Sequence, residues 1–414
     1  MFKRFHAMRY YRKNLLILSI TIFLASASWT QVVPFLPKFL AEMGLGRAAL
    51  HTWSGVIFAV PAIAGILFQP YWIKLGDKYG RKPMVIRAGI CLATLYFFMS
   101  LCRTPIQLAV VRVLIGGLTG FIPGSIALIA TNTPREEAPK SLAIAQSASA
   151  TGQIAGPSIG LAMYLAAGGY RGSMRISCVA VALSTLMVFL VEEPNKAVDE
   201  KTSMLQDLST ALRSRLLTAL MLPVFLEGAF ATAVLSQLAL HLQRLTGHPP
   251  VWYEGLIYSG PALAMAGTAY AWSRLGHKIG YTKTLHFGLI GTAISCLALT
   301  FVRSIWMFLP IYFTAGVFLA SIFPSMGAVL VTQVDNRFRA RAYGVLAACA
   351  SLGAFVAPFF AGQVAAEFGT QYVFTFVGSI FLVGTVLYPV MLRRSCETES
   401  DLETAPVEIL PSSD

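Results

Sequence analysis

The sequence predicts an all-α membrane protein of twelve transmembrane helices, built as two six-helix pseudo-symmetric halves around a central cavity. Three observations predict it: a composition too apolar to coat a water-facing globule, a row of bilayer-length apolar stretches, and a repeat offset by about two hundred residues. Of 414 residues, 56% are hydrophobic and 12% charged, and the mean hydropathy is +0.66. A soluble domain carries roughly 25% charged residues.

Apolar runs of about twenty residues, the length that crosses a bilayer, follow one another along the chain. They are Leu15–Phe39, Thr52–Trp72, Met84–Leu101, Ile106–Ala130, Leu142–Ala166 and Ile176–Val191. Then come Leu216–Leu240, Leu256–Trp272, Thr284–Val302, Ile305–Val331, Ala342–Ala365 and Tyr372–Met391. Basic residues, Leu15–Leu24 and then Ala25-Ser26-Ala27 have the outline of a signal peptide. The apolar stretch continues to Leu40, however, and cleavage would leave an odd number of spans, so the segment reads as the first span.

The net charge of +13 raises nucleic acid as a partner, and its placement argues for the bilayer instead. With the N-terminus in the cytoplasm, Lys and Arg fall on the inner side as the positive-inside rule requires. Lys3, Arg4, Lys74, Lys78, Arg81, Lys82, Arg135, Lys140, Arg274, Lys278, Arg337 and Arg339 are examples. The outer loops hold only Arg47, Arg103, Arg171, Arg175, Arg244 and Arg303. Both termini are then cytoplasmic. The cysteines fall mostly inside spans without metal or disulfide spacing and read as packing residues. No cofactor or metal is expected.

Trp72-Ile73-Lys74-Leu75-Gly76-Asp77-Lys78-Tyr79-Gly80 returns as Trp272-Ser273-Arg274-Leu275-Gly276-His277-Lys278-Ile279-Gly280. Pro123, Ala127, Thr131, Gly152 and Pro157 likewise match Pro324, Ala328, Thr332, Gly353 and Pro358. Six spans per repeat make both halves enter the membrane the same way, related by an axis along its normal. The halves are residues 1–191 and 216–394. Residues 192–215 form a cytoplasmic central loop, where Met204, Leu205, Leu208, Ala211 and Leu212 have the spacing of an amphipathic surface helix or belong to a plain linker. Residues 395–414 are an acidic tail, expected to be disordered.

The loop after the second span carries Gly76, Gly80, Arg81 and Lys82. The glycines permit a tight turn, and the basic residues fix orientation. Asp77 runs against the sign of that rule, and an acid there can cap the N-terminus of a neighbouring helix. In the fifth span Gly152, Gly156 and Gly160 stand four apart, with Pro157 among them. Glycines so spaced let helices approach closely, and the proline bends the helix. In the fourth span Arg112 precedes Gly116, Gly117 and Gly120. Arg112 either snorkels to the outer face or faces the bundle interior, where it would act on an acid. Tyr71, Trp72, Trp272 and Trp306 read most simply as interfacial belt anchors.

These three stretches resemble signatures of the Major Facilitator Superfamily, and within it the bacterial twelve-helix drug:proton antiporters. Leu75–Lys82 is similar to its loop signature, Arg112 to Gly120 to the fourth-helix signature, and Gly152 to Gly160 to the fifth-helix antiporter signature. Ile73, Ala143 and Leu161 depart from those patterns. The resemblance implies a conformational latch of Asp77, Gly80, Arg81 and Lys82. It places the eleventh helix beside Asp77, and Arg81 against Glu136 or Glu137. It implies a coupling role for Arg112 and exchange set by the fifth span. It also implies the cytoplasmic (inner) membrane of a bacterium and function as a monomer.

Glu227 is the acid expected to carry protons. Every other acid falls in a loop, a tail or near a helix end, whereas Glu227 stands some ten residues into the seventh span among Phe225, Leu226 and Phe230. A charge there costs about 3 kcal/mol on insertion scales, so the group should face the cavity. A hydrogen bond to a neighbouring helix or a cationic substrate are the alternatives. The repeat sets Ser26 opposite it. Trp29, Gln31, Phe230 and Gln237 are candidate cavity residues, because a polar group amid apolar ones needs a partner or water.

The expected function is proton-coupled, alternating-access export of small amphipathic compounds or drugs. Export of an endogenous metabolite such as a siderophore-like carboxylate, or inward symport, are the other transport readings. A membrane-embedded enzyme or receptor scaffold would need a catalytic constellation at one depth. The chain has no H-E-x-x-H, G-x-S-x-G, P-loop or paired intramembrane carboxylates. The expected partners are a small-molecule substrate, protons and the lipid bilayer.

Overall fold

Pro34 and Pro37 shape the first span. Neither donates a backbone N–H, and each ring presses on the preceding turn. In the computed structural model α1 (Phe2–Val32) tightens through a 3-10 turn at Val33–Phe35 and resumes as α2 (Leu36–Ala41). The structure describes residues 2–134, 137–193, 214–247, 251–334 and 336–403, with positions 209 and 212 between them.

The second and third spans are α3 (Arg47–Tyr79) and α4 (Arg81–Leu101). The fourth is two helices, α5 (Pro105–Leu118) and α6 (Phe121–Asn132), parted at Thr119 and at Gly120, whose φ of 112° suits glycine. The next two, α7 (Ala138–Ala166) and α8 (Tyr170–Val188), complete the first half. The second half opens with α9 (Arg215–Thr246), α10 (Val251–Ile279) and α11 (Tyr281–Thr300). Its broken span is α12 (Ile305–Leu319) with α13 (Ile322–Gln333), followed by α14 (Asn336–Glu367) and α15 (Tyr372–Glu403).

Among the described residues ten helices or joined pairs are long and apolar enough to cross a membrane. The fifth and eighth spans, α7 and α10, are 29 residues each and fall outside that set on composition. They meet where the two halves join: Ser259 Oγ donates to Ile154 O at 2.7 Å, and Gly255 lies beside Ser158. Helices that face protein need less apolar surface than helices that face lipid.

The last helix corrects one expected boundary. It runs to Glu403, past residue 395 where the tail was to begin. Between Pro389 and Pro406 the sequence offers no Gly or Pro to stop it. The candidate amphipathic helix of the central loop lies mostly outside the described residues.

The repeat is visible in the packing. Trp72 Nε1 donates to Gly117 O at 2.7 Å, and Trp272 Nε1 donates to Val317 O at 2.6 Å. Both tryptophans therefore bind carbonyls beside the breaks of the fourth and tenth spans. Gly116 admits the backbone of Pro61, and Gly316 that of Pro261. Buried apolar residues form two clusters, one within residues 17–191 and the other within 217–388, joined by Phe35 and Leu161. We call the end with the α3–α4 and α10–α11 loops the basic end, and the opposite one the far end.

Candidate functional site

Arg112 is buried on the inner face of α5 together with Leu108, Val111 and Ile115, a helical i, i+3, i+4 stripe. Its residue exposure is 2%. Nε donates to Ile57 O at 3.0 Å, and the guanidinium carbon stands 5.1 Å from the Trp29 ring centre and 5.9 Å from that of Phe58. Nη1 is buried without a hydrogen-bond partner, as is Tyr96 Oη. The side chain thus turns inward rather than snorkelling, and aromatic faces supply much of its solvation.

Glu227 stands in the middle third of α9 and is half-buried. Its neighbour Gly228 lies against the backbone of Ala350 in α14, and Gly353 of α14 lies against Phe225 O. The first half repeats this seam: a Cβ on Gly152 would come within 2.5 Å of Phe23 O. Ser26, opposite Glu227 in the repeat, shares a 3.0 Å hydrogen bond with Ser149. A hydroxyl pair in one half is therefore an acid in the other. Arg112 and Glu227 stand in different halves, the first among α1, α3 and α4, the second beside α14.

Three of the four candidate cavity residues are spent on packing. Gln31 Nε2 donates to Ser173 O at 3.3 Å and to Ser177 Oγ, both on α8. Phe230 is buried, with ring centres of Tyr312 and Phe381 at 6.2 and 6.3 Å. Gln237 is buried against His51. A polar side chain in a membrane span is satisfied by the adjacent helix when one is in reach. Trp29 remains half-buried beside Arg112.

The glycines of the fifth span all turn to the first. A Cβ on Gly156 would stand 2.7 Å from Ala27 O, and one on Gly160 would stand 2.5 Å from Gln31 O. Pro157 lies between them, inside α7.

The far end holds a closure that sequence reasoning missed. Lys38 Nζ, on α2, meets Glu254 Oε1 of α10 at 2.6 Å, with side-chain exposures of 18% and 4%. His51 Nδ1 lies 2.9 Å from Gln237 Oε1, and Gln237 Nε2 donates to His51 O at 3.0 Å. Tyr258 Oη donates to Pro34 O at 3.3 Å, and its ring meets Phe35 edge-on. Gly55 of α3 packs on Pro358 and Gly362 of α14. Each of these contacts joins the two halves. The sequence showed Lys38 and Glu254 at helix ends, but nothing in it paired them.

At the basic end Gly80, with φ 102°, turns α3 into α4. The amides of Arg81 and Lys82 donate to the Glu193 carboxylate at 2.7 and 2.9 Å. An anion at that helix N-terminus satisfies orphan N–H groups. Arg81 Nη1 donates to Ala127 O at 3.0 Å, and Lys82 Nζ to Phe189 O at 2.9 Å. Asn14 grips Glu192 O at 2.7 Å and accepts its N–H at 3.0 Å. Gly80, Arg81 and Lys82 therefore help fasten the exit of α8 to α4. The sequence signal for this contact is the acidic pair Glu192-Glu193 at an otherwise basic end. The Asp77 side chain and Glu136 lie outside the described residues. Glu137 sits at the N-terminus of α7, close enough to Arg12 for their charges to interact.

The family model of the Major Facilitator Superfamily matches residues 18–260 and 253–407. A multidrug resistance protein MdtG of Enterobacter lignolyticus (strain SCF1) is 27% identical over 394 residues, covering 94% of each chain. That of Salmonella schwarzengrund (strain CVM19633) is 26% identical over 392 residues, 93% of this chain and 96% of the other. Among solved structures, a bacterial homologue of the human lysosomal transporter Spinster, inward-facing and occupied, aligns with a TM-score of 0.78 at 16% identity. It covers 93% of this chain and 97% of that one. The nucleoside transporter NupG aligns with a TM-score of 0.75 at 13% identity, covering 92% and 99%.

Proposed function

The chain belongs to the Major Facilitator Superfamily of membrane transporters, and on that premise we propose that it is a proton-coupled exporter of small amphipathic compounds. The basic end is taken as cytoplasmic, by the positive-inside rule. The multidrug resistance names of relatives matched over nearly the whole chain support the class of cargo.

One observation carries the coupling: a half-buried acid, Glu227, stands in the middle third of a span and has no hydrogen bond or ion pair among the described residues. An intramembrane carboxylate that neither pairs nor packs away is available to a proton or a cation. With the far end closed, the site is read as serving the cytoplasmic side. Substrate enters there while Glu227 gives its proton inward. Opening of the far end then releases substrate outward and lets Glu227 take a proton from outside. Each cycle moves substrate out and a proton in. A cationic amphiphile suits a carboxylate without an ion-pair partner.

The test uses inside-out vesicles that hold a proton gradient. Substrate addition should dissipate the gradient with the wild-type chain and leave it intact with Glu227→Gln, while the variant keeps downhill substrate exchange. Uphill transport with an unchanged pH profile in Glu227→Gln would remove Glu227 from the mechanism.

A further inference from the structure

Tyr96 and Arg112 lie on the two arms of the α4–α5 hairpin, at depths that differ by about 3 Å at 1.5 Å per residue. Their exposures are 0% and 2%, and they are close enough for a charge on one to act on the other. Tyr96 Oη and Arg112 Nη1 are both buried without a hydrogen-bond partner. A guanidinium nitrogen can only donate, and a phenol also donates. Two donors thus stand together in the protein interior, and the side chains around them offer neither an acceptor.

The charge is unanswered as well. The groups that meet the guanidinium are a neutral carbonyl, Ile57 O, and the rings of Trp29 and Phe58. Among the described residues no carboxylate pairs with Arg112. A guanidinium stays protonated, and a charge inside a membrane bundle calls for a counter-charge. The fold does not require a cation at this position. The repeat sets Tyr312 opposite Arg112 and Cys296 opposite Tyr96, again within reach of each other. Phe230, opposite Trp29, has its ring centre 6.2 Å from that of Tyr312, and Phe230, Tyr312 and Cys296 are all buried. The second half therefore fills this space with uncharged side chains, where the first half places a cation beside a hydroxyl.

We propose that Arg112 Nη1 and Tyr96 Oη together bind a small monovalent inorganic anion of halide size, such as chloride, as the counter-ion of the buried guanidinium. One anion accepts from both donors and cancels the charge, and bonds of this charge-assisted kind are the strong ones. A water molecule would accept from both but would leave the charge uncompensated. Cargo is not the occupant, because at 2% exposure or less neither residue is open to an amphiphile. Glu227 stands in the other half, so the binding does not depend on its role in transport.

The purified full-length chain is melted in detergent in sodium chloride, sodium bromide or sodium gluconate at equal ionic strength. The wild type should gain stability in chloride and bromide, saturating with concentration, and not in gluconate, which is too large to enter. Tyr96→Phe keeps the ring and removes one donor. It should raise the half-saturating chloride concentration about tenfold, as loss of one hydrogen bond to a charged group does. Arg112→Gln should abolish the chloride effect; if it is not monodisperse, Tyr96→Phe decides. Crystals grown in bromide should show an anomalous peak within hydrogen-bond reach of both atoms. Equal stability of the wild type in chloride and gluconate would overturn the proposal, as would an unchanged half-saturation in Tyr96→Phe. Ordered water in place of the bromide peak would make the pair a hydration site and also overturn it. No transport assay enters, so failure here leaves Glu227 untouched.

Discussion

His51 and Gln237 hold each other twice across the two halves, ring to amide oxygen at 2.9 Å and amide nitrogen to backbone carbonyl at 3.0 Å. Both are buried, so each bond broken without replacement costs about 1–3 kcal/mol. Gln237→Leu keeps bulk and removes both. It should favour opening of the far end by about tenfold or more, read as faster labelling from outside of a cysteine placed at Ser54. An unchanged labelling rate would show that this pair does not hold the closure.

The Lys38–Glu254 pair should behave differently when halved than when replaced. Removing one partner of a buried ion pair costs about 3–5 kcal/mol, because the other charge stays uncompensated, whereas replacing both with apolar residues is often neutral. Lys38 is the more exposed member, so the lower end of that range applies. Lys38→Met should lower thermal stability, and Lys38→Met with Glu254→Leu should recover most of the loss. Equal losses in the single and double variants would mean that the charges are not coupled.

Arg112→Lys retains a positive charge and loses the planar group that stacks near Trp29 and donates to Ile57. Loss of a charge-assisted bond predicts destabilisation of about 1.5–3 kcal/mol. Proton-driven transport should fall with it. Full uphill transport by this variant would show that a bare charge suffices and that the fork has no role in coupling.

Gly156→Leu tests the seam between the first and fifth spans, where the added Cβ would stand 2.7 Å from Ala27 O. Overpacking of this kind costs about 1–3 kcal/mol. Gly267, where an added Cβ would meet nothing within 4 Å, is the control in another helix. Gly267→Ala should leave stability unchanged or raise it by up to about 1 kcal/mol. Thermal melts in detergent distinguish the two. Equal melting temperatures would remove the seam as a close-packing requirement.

What could be read before folding was whatever a short stretch encodes by itself. Apolar runs revealed the spans, and Gly152, Gly156 and Gly160 revealed that some helix would approach closely. The breaks in the fourth and tenth spans were less legible. Gly120 marks one, but nothing equivalent marks Ala320 and Ser321, where the tertiary bond from Trp272 lies nearby. The partners of the far-end closure were not legible at all. Lys38 and Glu254 are 216 residues apart, and His51 and Gln237 are 186 apart. Lys38 and Glu254 look like ordinary end-of-helix polar residues, and Gln237 like a cavity residue, until the two halves meet. Gln31 misled for the same reason: its partners Ser173 and Ser177 are supplied by a helix more than a hundred positions away.

Where the closure sits also sets a mechanical advantage. From Gly55, packed on Pro358 and Gly362, to Tyr79 at the other end of α3, the helix extends about 36 Å at 1.5 Å per residue. A tilt of about 10° about that contact would carry the Tyr79 end through about 6 Å, the width of an aromatic ring, while the atoms at the fulcrum move by a fraction of an ångström. A gate built this way needs only side-chain-sized adjustments beside His51 to admit or exclude cargo at the opposite face.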